Sequence, residues 1–204
     1  MKKNMKEMDI VFLLDRSGSM SGMEEDTIGG YNSYLKEQRK NNVRVTTVLF
    51  DDQYELLHER ENIKNVHNLT RNEYYVRGCT ALLDAIGKTI NLMDNKNTGK
   101  TIFIITTDGL ENASSEYTKD KIKNLIKKHK DWEFMYIGAD IDSYKEGETI
   151  GIKKSNIANY SKSKKGMQKL FSSIGKASSS FYECECISND WKDELENYID
   201  DNIK

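Results

Sequence analysis

The chain has 204 residues, 37% of them apolar and 31% charged, and 31 Lys and Arg against 33 Asp and Glu leave a formal charge of −2. A chain of this length buries roughly 70% of the surface that its unfolded form exposes, so folding requires neither a disulfide framework nor a structural metal. The near balance of charge argues against a general nucleic-acid binder, which needs a basic excess to meet phosphates, and the mean hydropathy of −0.74 accompanies short, dense apolar runs that a disordered chain lacks.

The N-terminal stretch MKKNMKEMD is basic but carries no apolar run, and Ile10–Leu14 is too short for a bilayer span or a signal-peptide core. The expectation is a cytoplasmic protein with no membrane segment. Cys79, Cys184 and Cys186 are too few, and odd in number, for a disulfide framework, and no second pair completes a zinc site. Cys184 and Cys186 are expected as a buried pair beside the end of an element.

Met8–Leu14 (MDIVFLL) is continuously apolar, the mark of a strand covered on both faces. Asp26 is a candidate N-cap for the helix that follows, where Ile28, Tyr31, Tyr34 and Leu35 recur at helical spacing. Val43–Phe50 is β-branched and strand-like, and Tyr54–Glu59 follows a turn at Asp51-Asp52, so these two predict a hairpin at a sheet edge. Thr80 opens a helix with Leu82, Ile86, Ile90 and Met93 on one stripe. Thr101–Thr106 (TIFIIT) is the clearest buried strand. Ile122, Leu125 and Ile126 mark a helix, Glu133–Ile137 a strand, Tyr144–Thr149 a short helix and Ser155–Tyr160 a last short strand. Met167, Leu170, Phe171, Ile174, Ala177 and Phe181 form a helical core stripe. Trp191, Leu195, Tyr198 and Ile199 give an acidic amphipathic helix at the end. The lysine-rich stretches Lys119–Lys130 and Ser161–Lys176 read as solvated helix faces.

The chain has no proline, no repeat and no Gly/Ser linker, and its strands alternate with helices. Parallel neighbours need crossovers, and each crossover lays a helix over the sheet. The fold class is therefore α/β: a doubly wound, mostly parallel central sheet with helices on both faces and one antiparallel edge strand. One domain is expected over residues 1–204, with a core at about 8–182 and the C-terminal helix at about 189–203. Ligands of such sheets bind beyond the carboxyl ends of the strands, where strand order reverses.

That rule points to Asp15-Arg16-Ser17-Gly18-Ser19, where one carboxylate and two hydroxyls alternate on a tight loop after the first strand. Thr107-Asp108-Gly109 follows TIFIIT with a second carboxylate, and Arg77-Gly78-Cys79-Thr80 offers a hydroxyl at a helix N-terminus. Five oxygen-bearing side chains of this kind suit a hard divalent cation. Arg16, at the loop tip, is expected in solvent, Asp51 and Asp52 in a plain turn, and Asp84 at its helix N-terminus or in support of the site.

Carried by Asp-x-Ser-x-Ser, then Thr, then Asp, the sequence resembles the von Willebrand factor A (vWA) domain family and its metal-ion-dependent adhesion site, or MIDAS, over residues from Asp9 to about Tyr182. The wider text (FLLDRSGSMSG, GCTALLDAI, TTDGLENAS) is similar to stand-alone bacterial members, some of them linked to tellurite-resistance and stress operons. Cys79 stands where many relatives have Gly. The resemblance implies a Rossmann-like fold and a metal held by Asp15, Ser17, Ser19, Thr80 and Asp108. It implies Mg²⁺, with Mn²⁺ or Ca²⁺ as alternatives, and an open coordination position filled by an Asp or Glu of a partner protein. The function expected is a metal-dependent protein-binding module, not an enzyme, with no nucleic acid or membrane as partner.

Two other readings stay open. A Mg²⁺-dependent phosphoryl-transfer enzyme of the phosphatase type also places an Asp after a buried first strand, but the second acid it needs two residues later is Ser17 here. A metal-independent assembly protein would bind instead through the amphipathic C-terminal segment. No phosphate-cradling G-x-x-x-x-G-K-[ST] loop occurs in the chain.

Overall fold

The computed structural model describes residues 7–96 and 99–203. Residues 1–6, read above as part of a segment without export or membrane signal, lie outside that range. Six strands form one sheet in the order β3-β2-β1-β4-β5-β6: β1 (Met8–Asp15), β2 (Val43–Phe50), β3 (Tyr54–Asn62), β4 (Thr101–Thr107), β5 (Trp132–Gly138) and β6 (Ile157–Asn159). All neighbours are parallel except β2 and β3, which pair antiparallel at the edge as a hairpin with two register irregularities. The helices are α1 (Glu24–Gln38), α2 (Leu82–Asp94), α3 (Lys119–Lys128), α4 (Ser143–Thr149), α5 (Lys164–Cys184) and α6 (Asp193–Ile203).

The unbroken apolar run of β1 is divided between two cores by the period-2 alternation of a strand. Ile10, Phe12 and Leu14 face a cluster with Tyr31, Tyr34 and Leu35 of α1 and with Met167, Leu170, Phe171 and Ile174 of α5. Val11 and Leu13 face the opposite cluster, with Leu82, Ile86 and Ile90 of α2 and Ile122 of α3. Every residue of β1 and β4 is buried. Trp191, just before α6, and Leu195 of α6 join the first cluster, and the Trp191 indole donates to Ser155 O at 2.8 Å.

The chain leaves β1 for β2 on one side, and β4 returns to pair with β1 on the other. The topological switch point therefore lies at the carboxyl ends of β1 and β4. Leu14 pairs with Thr106, so the residues that follow each strand, from Asp15 and from Thr107 onward, emerge side by side.

Several local expectations are corrected. α1 begins at Glu24 with Met23 at its N-cap, so Asp26 sits in the acidic first turn rather than capping it. Thr80 lies one residue before the N-cap of α2, Ala81, which makes no side-chain cap. Cys184 and Cys186 are exposed, as is Cys79. They fall where α5 ends in a left-handed Glu185 (φ 59°), beyond the covered face of that helix. Among the described residues no helix is long and apolar enough to cross a membrane.

Candidate metal centre

Asp15 ends β1 with its side chain turned inward and 1% exposed. Its Oδ1 accepts the Ser17 N–H at 2.7 Å and its Oδ2 accepts the Thr107 hydroxyl at 2.5 Å. The first contact closes the tight turn that aims Ser17 back toward the strand ends, and the second ties β1 to β4. Burial pushes the Asp15 carboxyl up to about 6; bonds from Thr107 and Ser17 oppose this and the nearby Asp108 adds to it. A divalent cation beside the carboxylate would favour its ionised form.

The Ser17 and Ser19 hydroxyls lie 3.0 Å apart, and Ser19 Oγ donates to Asp108 Oδ1. Thr80 joins them from the other side. A Cβ built on Gly109 would lie 2.7 Å from Thr80 Oγ1, 3.1 Å from Ser19 Oγ and 3.5 Å from Ser17 Oγ. One point in space is thus bordered by all three hydroxyls, and a single carbon would crowd it. Asp15, Ser17, Thr80 and Asp108 are buried, whereas Ser19 is exposed and marks the mouth of the cup. All five residues expected from the sequence therefore converge. Among the described residues no group of three or more His, Cys, Asp and Glu side chains is placed to hold a metal. This cup is of another kind: hydroxyls outnumber carboxylates, as a hard cation that keeps several waters permits.

The cup is braced by contacts that the sequence pass did not foresee. Gly18 N donates to Gly78 O and Arg77 N to Arg16 O, zipping the first loop to the segment that carries Thr80. Gly78 has φ 64°, and a Cβ there would also meet Asp52 Oδ1 at 2.6 Å, so only glycine fits. Arg16 is fully buried rather than solvated. Its Nε pairs with Asp51 Oδ2 at 3.0 Å and its Nη1 with Glu55 at 2.8 Å, and Arg77 Nε reaches the same Asp51 oxygen at 2.7 Å. Asp51 is also buried, and although burial raises its carboxyl pKa, bonds from Arg77 and the Gln53 backbone and the charge of Arg16 hold it below the usual range. The expected turn at Asp51 exists, with its Oδ1 accepting Gln53 N at 2.6 Å, but the same carboxylate anchors two arginines.

The loop after β4 is held from α2. Asp84 accepts the backbone N–H groups of Ser115, Glu116 and Tyr117 at 2.9–3.0 Å. In return Glu111 and Ser114 accept the first-turn N–H groups of Leu83 and Asp84, capping α2 from another loop. Asn112 Oδ1 accepts Thr80 N at 2.9 Å, fixing the third hydroxyl against the Asp108 loop. The polar run Glu111–Ser115 was the available signal: it is dense in side chains that bond backbone, beside a helix start with no cap of its own.

A family model described as VWA domain containing CoxE-like protein matches residues 1–130. No curated protein matches the chain. Solved structures with a similar fold include proximal thread matrix protein 1 from the mussel byssus, at 17% identity and a TM-score of 0.63, over 83% of this chain and 45% of that one. A second structure of that protein, with a zinc-occupied MIDAS motif, aligns at 16% identity and a TM-score of 0.62, over the same shares. This chain thus spans just under half the length of the mussel protein. The vWF domain of the type V pili tip protein Mfa5 from Porphyromonas gingivalis aligns at 11% identity and a TM-score of 0.65, over 89% of this chain and 98% of that one. At these identities the structural likeness speaks to the fold alone. With the family model matching well over half of its length, the chain belongs to the VWA domain containing CoxE-like proteins.

Proposed function

We propose that the protein is a metal-dependent protein-binding module, in which Asp15, Ser17, Ser19, Thr80 and Asp108 hold a divalent cation and a partner's Asp or Glu completes its coordination. The observation that carries this reading is the meeting of the Ser17, Ser19 and Thr80 hydroxyls around the point that a Cβ on Gly109 would fill. Two carboxylates stand behind them, Asp15 braced by Thr107 and Asp108 by Ser19. A hard ion with so few anionic ligands keeps its affinity for a further carboxylate, and exposed Ser19 leaves that side of the cup open. The zinc-occupied MIDAS motif named for the mussel protein supports a divalent ion in this fold; we favour Mg²⁺, with Mn²⁺ or Ca²⁺ as substitutes. The chain's own residues position and exclude: Asp84, Glu111 and Asn112 fix the loops, and the two-arginine anchor on Asp51 holds the first loop against Thr80. We assign the site no catalytic step. The exposed, unbonded thiols suit a reducing compartment, and we place the module in the cytoplasm as one domain.

The test is affinity capture from source-cell lysate in Mg²⁺ with elution by chelator, repeated with Asp15→Ala. The wild type should release its partner on chelation, and the variant should capture none while keeping its circular dichroism spectrum. Partner capture indifferent to both chelator and substitution would replace this reading with the metal-independent one. A phosphatase assay with and without Mg²⁺ tests the enzymatic alternative.

A further inference from the structure

Lys162 lies between β6 and α5, immediately before Ser163, the N-cap of α5. Its ammonium is 2.8 Å from Asp108 Oδ2, a carboxylate fully buried in its side chain, and it also donates to the carbonyl of Ser19. Among the described residues it is the one cation paired with either carboxylate of the cup. The contact joins residues far apart in sequence, and the lysine side chain is 26% exposed, so it reaches in from the mouth. The other acids paired with lysines among the described residues keep side chains 19–70% exposed. Lys162 neutralises a buried carboxylate at the place where the metal would bring its own charge.

We propose that Lys162 is a tethered counter-cation that competes with the divalent ion for Asp108, so that metal loading and docking of the segment at the head of α5 exclude one another. The inference rests on the reading of the cup as a cation site. Two positive centres sharing one carboxylate repel strongly at low local dielectric. The ion, with two charges and several ligands, displaces the ammonium, and the long, flexible lysine stem lets the charged head leave for water. The coupling is reciprocal: whatever the docked lysine costs the metal in affinity, the metal costs the lysine in docking. Apo protein thus keeps Asp108 paired and its α5 entry fastened, and loaded protein has that entry released.

The experiment uses the full chain, with Mn²⁺ followed by electron paramagnetic resonance and Mg²⁺ by calorimetry, for the wild type, Lys162→Met and Lys162→Arg. Hydrogen exchange of the amides at 161–167 is measured with and without Mg²⁺. Lys162→Met should bind Mn²⁺ at least about fivefold more tightly than the wild type. Lys162→Arg, which keeps the charge, should stay near the wild type. Mg²⁺ should speed exchange at 161–167 in the wild type and change it little in Lys162→Met. Equal or weaker binding by Lys162→Met, with the wild type binding normally, would overturn the competition and leave the metal site standing. Absence of binding by wild type and variant alike would remove the metal site itself and the competition with it.

Discussion

At the scale of single residues the cup depends on what is missing as much as on what is present. Gly109 has no side chain, and that vacancy is bordered by three hydroxyl oxygens within 3.5 Å of where a Cβ would stand. Its backbone carries no positive φ that would itself forbid alanine. Gly109→Ala should therefore fold, yet lower Mn²⁺ affinity by about tenfold or more, as ligand-positioning changes do. Titration of Mn²⁺ against the variant beside its urea unfolding curve checks both halves. Arg16 shows the opposite lesson. A charged residue between Asp15 and Ser17 looked solvent-bound in sequence, but two acids from β2–β3, Asp51 and Glu55, take it inside. Nothing local encodes that, because both partners lie more than thirty positions away.

At the scale of elements, the crossing of α1 over α5 is set by a small residue. Gly30 lies mid-helix, where glycine weakens a helix by roughly 0.5–1 kcal/mol relative to alanine. Its compensation is contact: a Cβ there would sit 2.1 Å from Phe171 Cδ2. Gly30→Ala should then destabilise the fold by about 1–3 kcal/mol despite its better helix propensity, because overpacking outweighs propensity. Chemical denaturation reads the change, and adding Phe171→Leu should recover part of it. Strand positions were legible from composition: MDIVFLL, VRVTTVLF and TIFIIT became β1, β2 and β4 almost to the residue. Helix starts were not. α1 starts after Met23, which makes no side-chain cap, and α2 takes caps lent from the Glu111–Ser114 loop, where the sequence offered Asp26 and Thr80.

Across the whole molecule a histidine chain ties the edge hairpin to the loop that reaches the cup. His58 Nε2 lies 3.2 Å from His67 Nδ1, and His67 Nε2 lies 2.6 Å from Glu73 Oε1. Next along that loop, Tyr74 donates to the Asp15 carbonyl at 2.5 Å. Burial pushes His58 down to about 4; His67 beside it adds to this and Glu73 opposes it. A lowered histidine pKa means that the unfolded chain takes up its proton first. Stability from this group is complete above about pH 6.5 and is lost as pH falls toward 4. Urea unfolding at pH 7.5 and pH 5 should show the wild type losing up to about 2 kcal/mol more than His58→Gln over that interval. Equal losses would show that His58 does not titrate this way. The sequence by itself determined the layer plan, the antiparallel edge and the five polar side chains of the cup, since hydrophobic period and motif order are written along the chain. Only the tertiary structure decided that three hydroxyls share one point, that Asp51 holds two arginines inside, that Cys184 and Cys186 face solvent, and that Lys162 reaches Asp108. The shared point, the anchored arginines and the Lys162 contact are meetings of groups far apart in the chain, and the exposure of the two cysteines follows from where α5 ends; a one-dimensional pattern carries no distance between its parts.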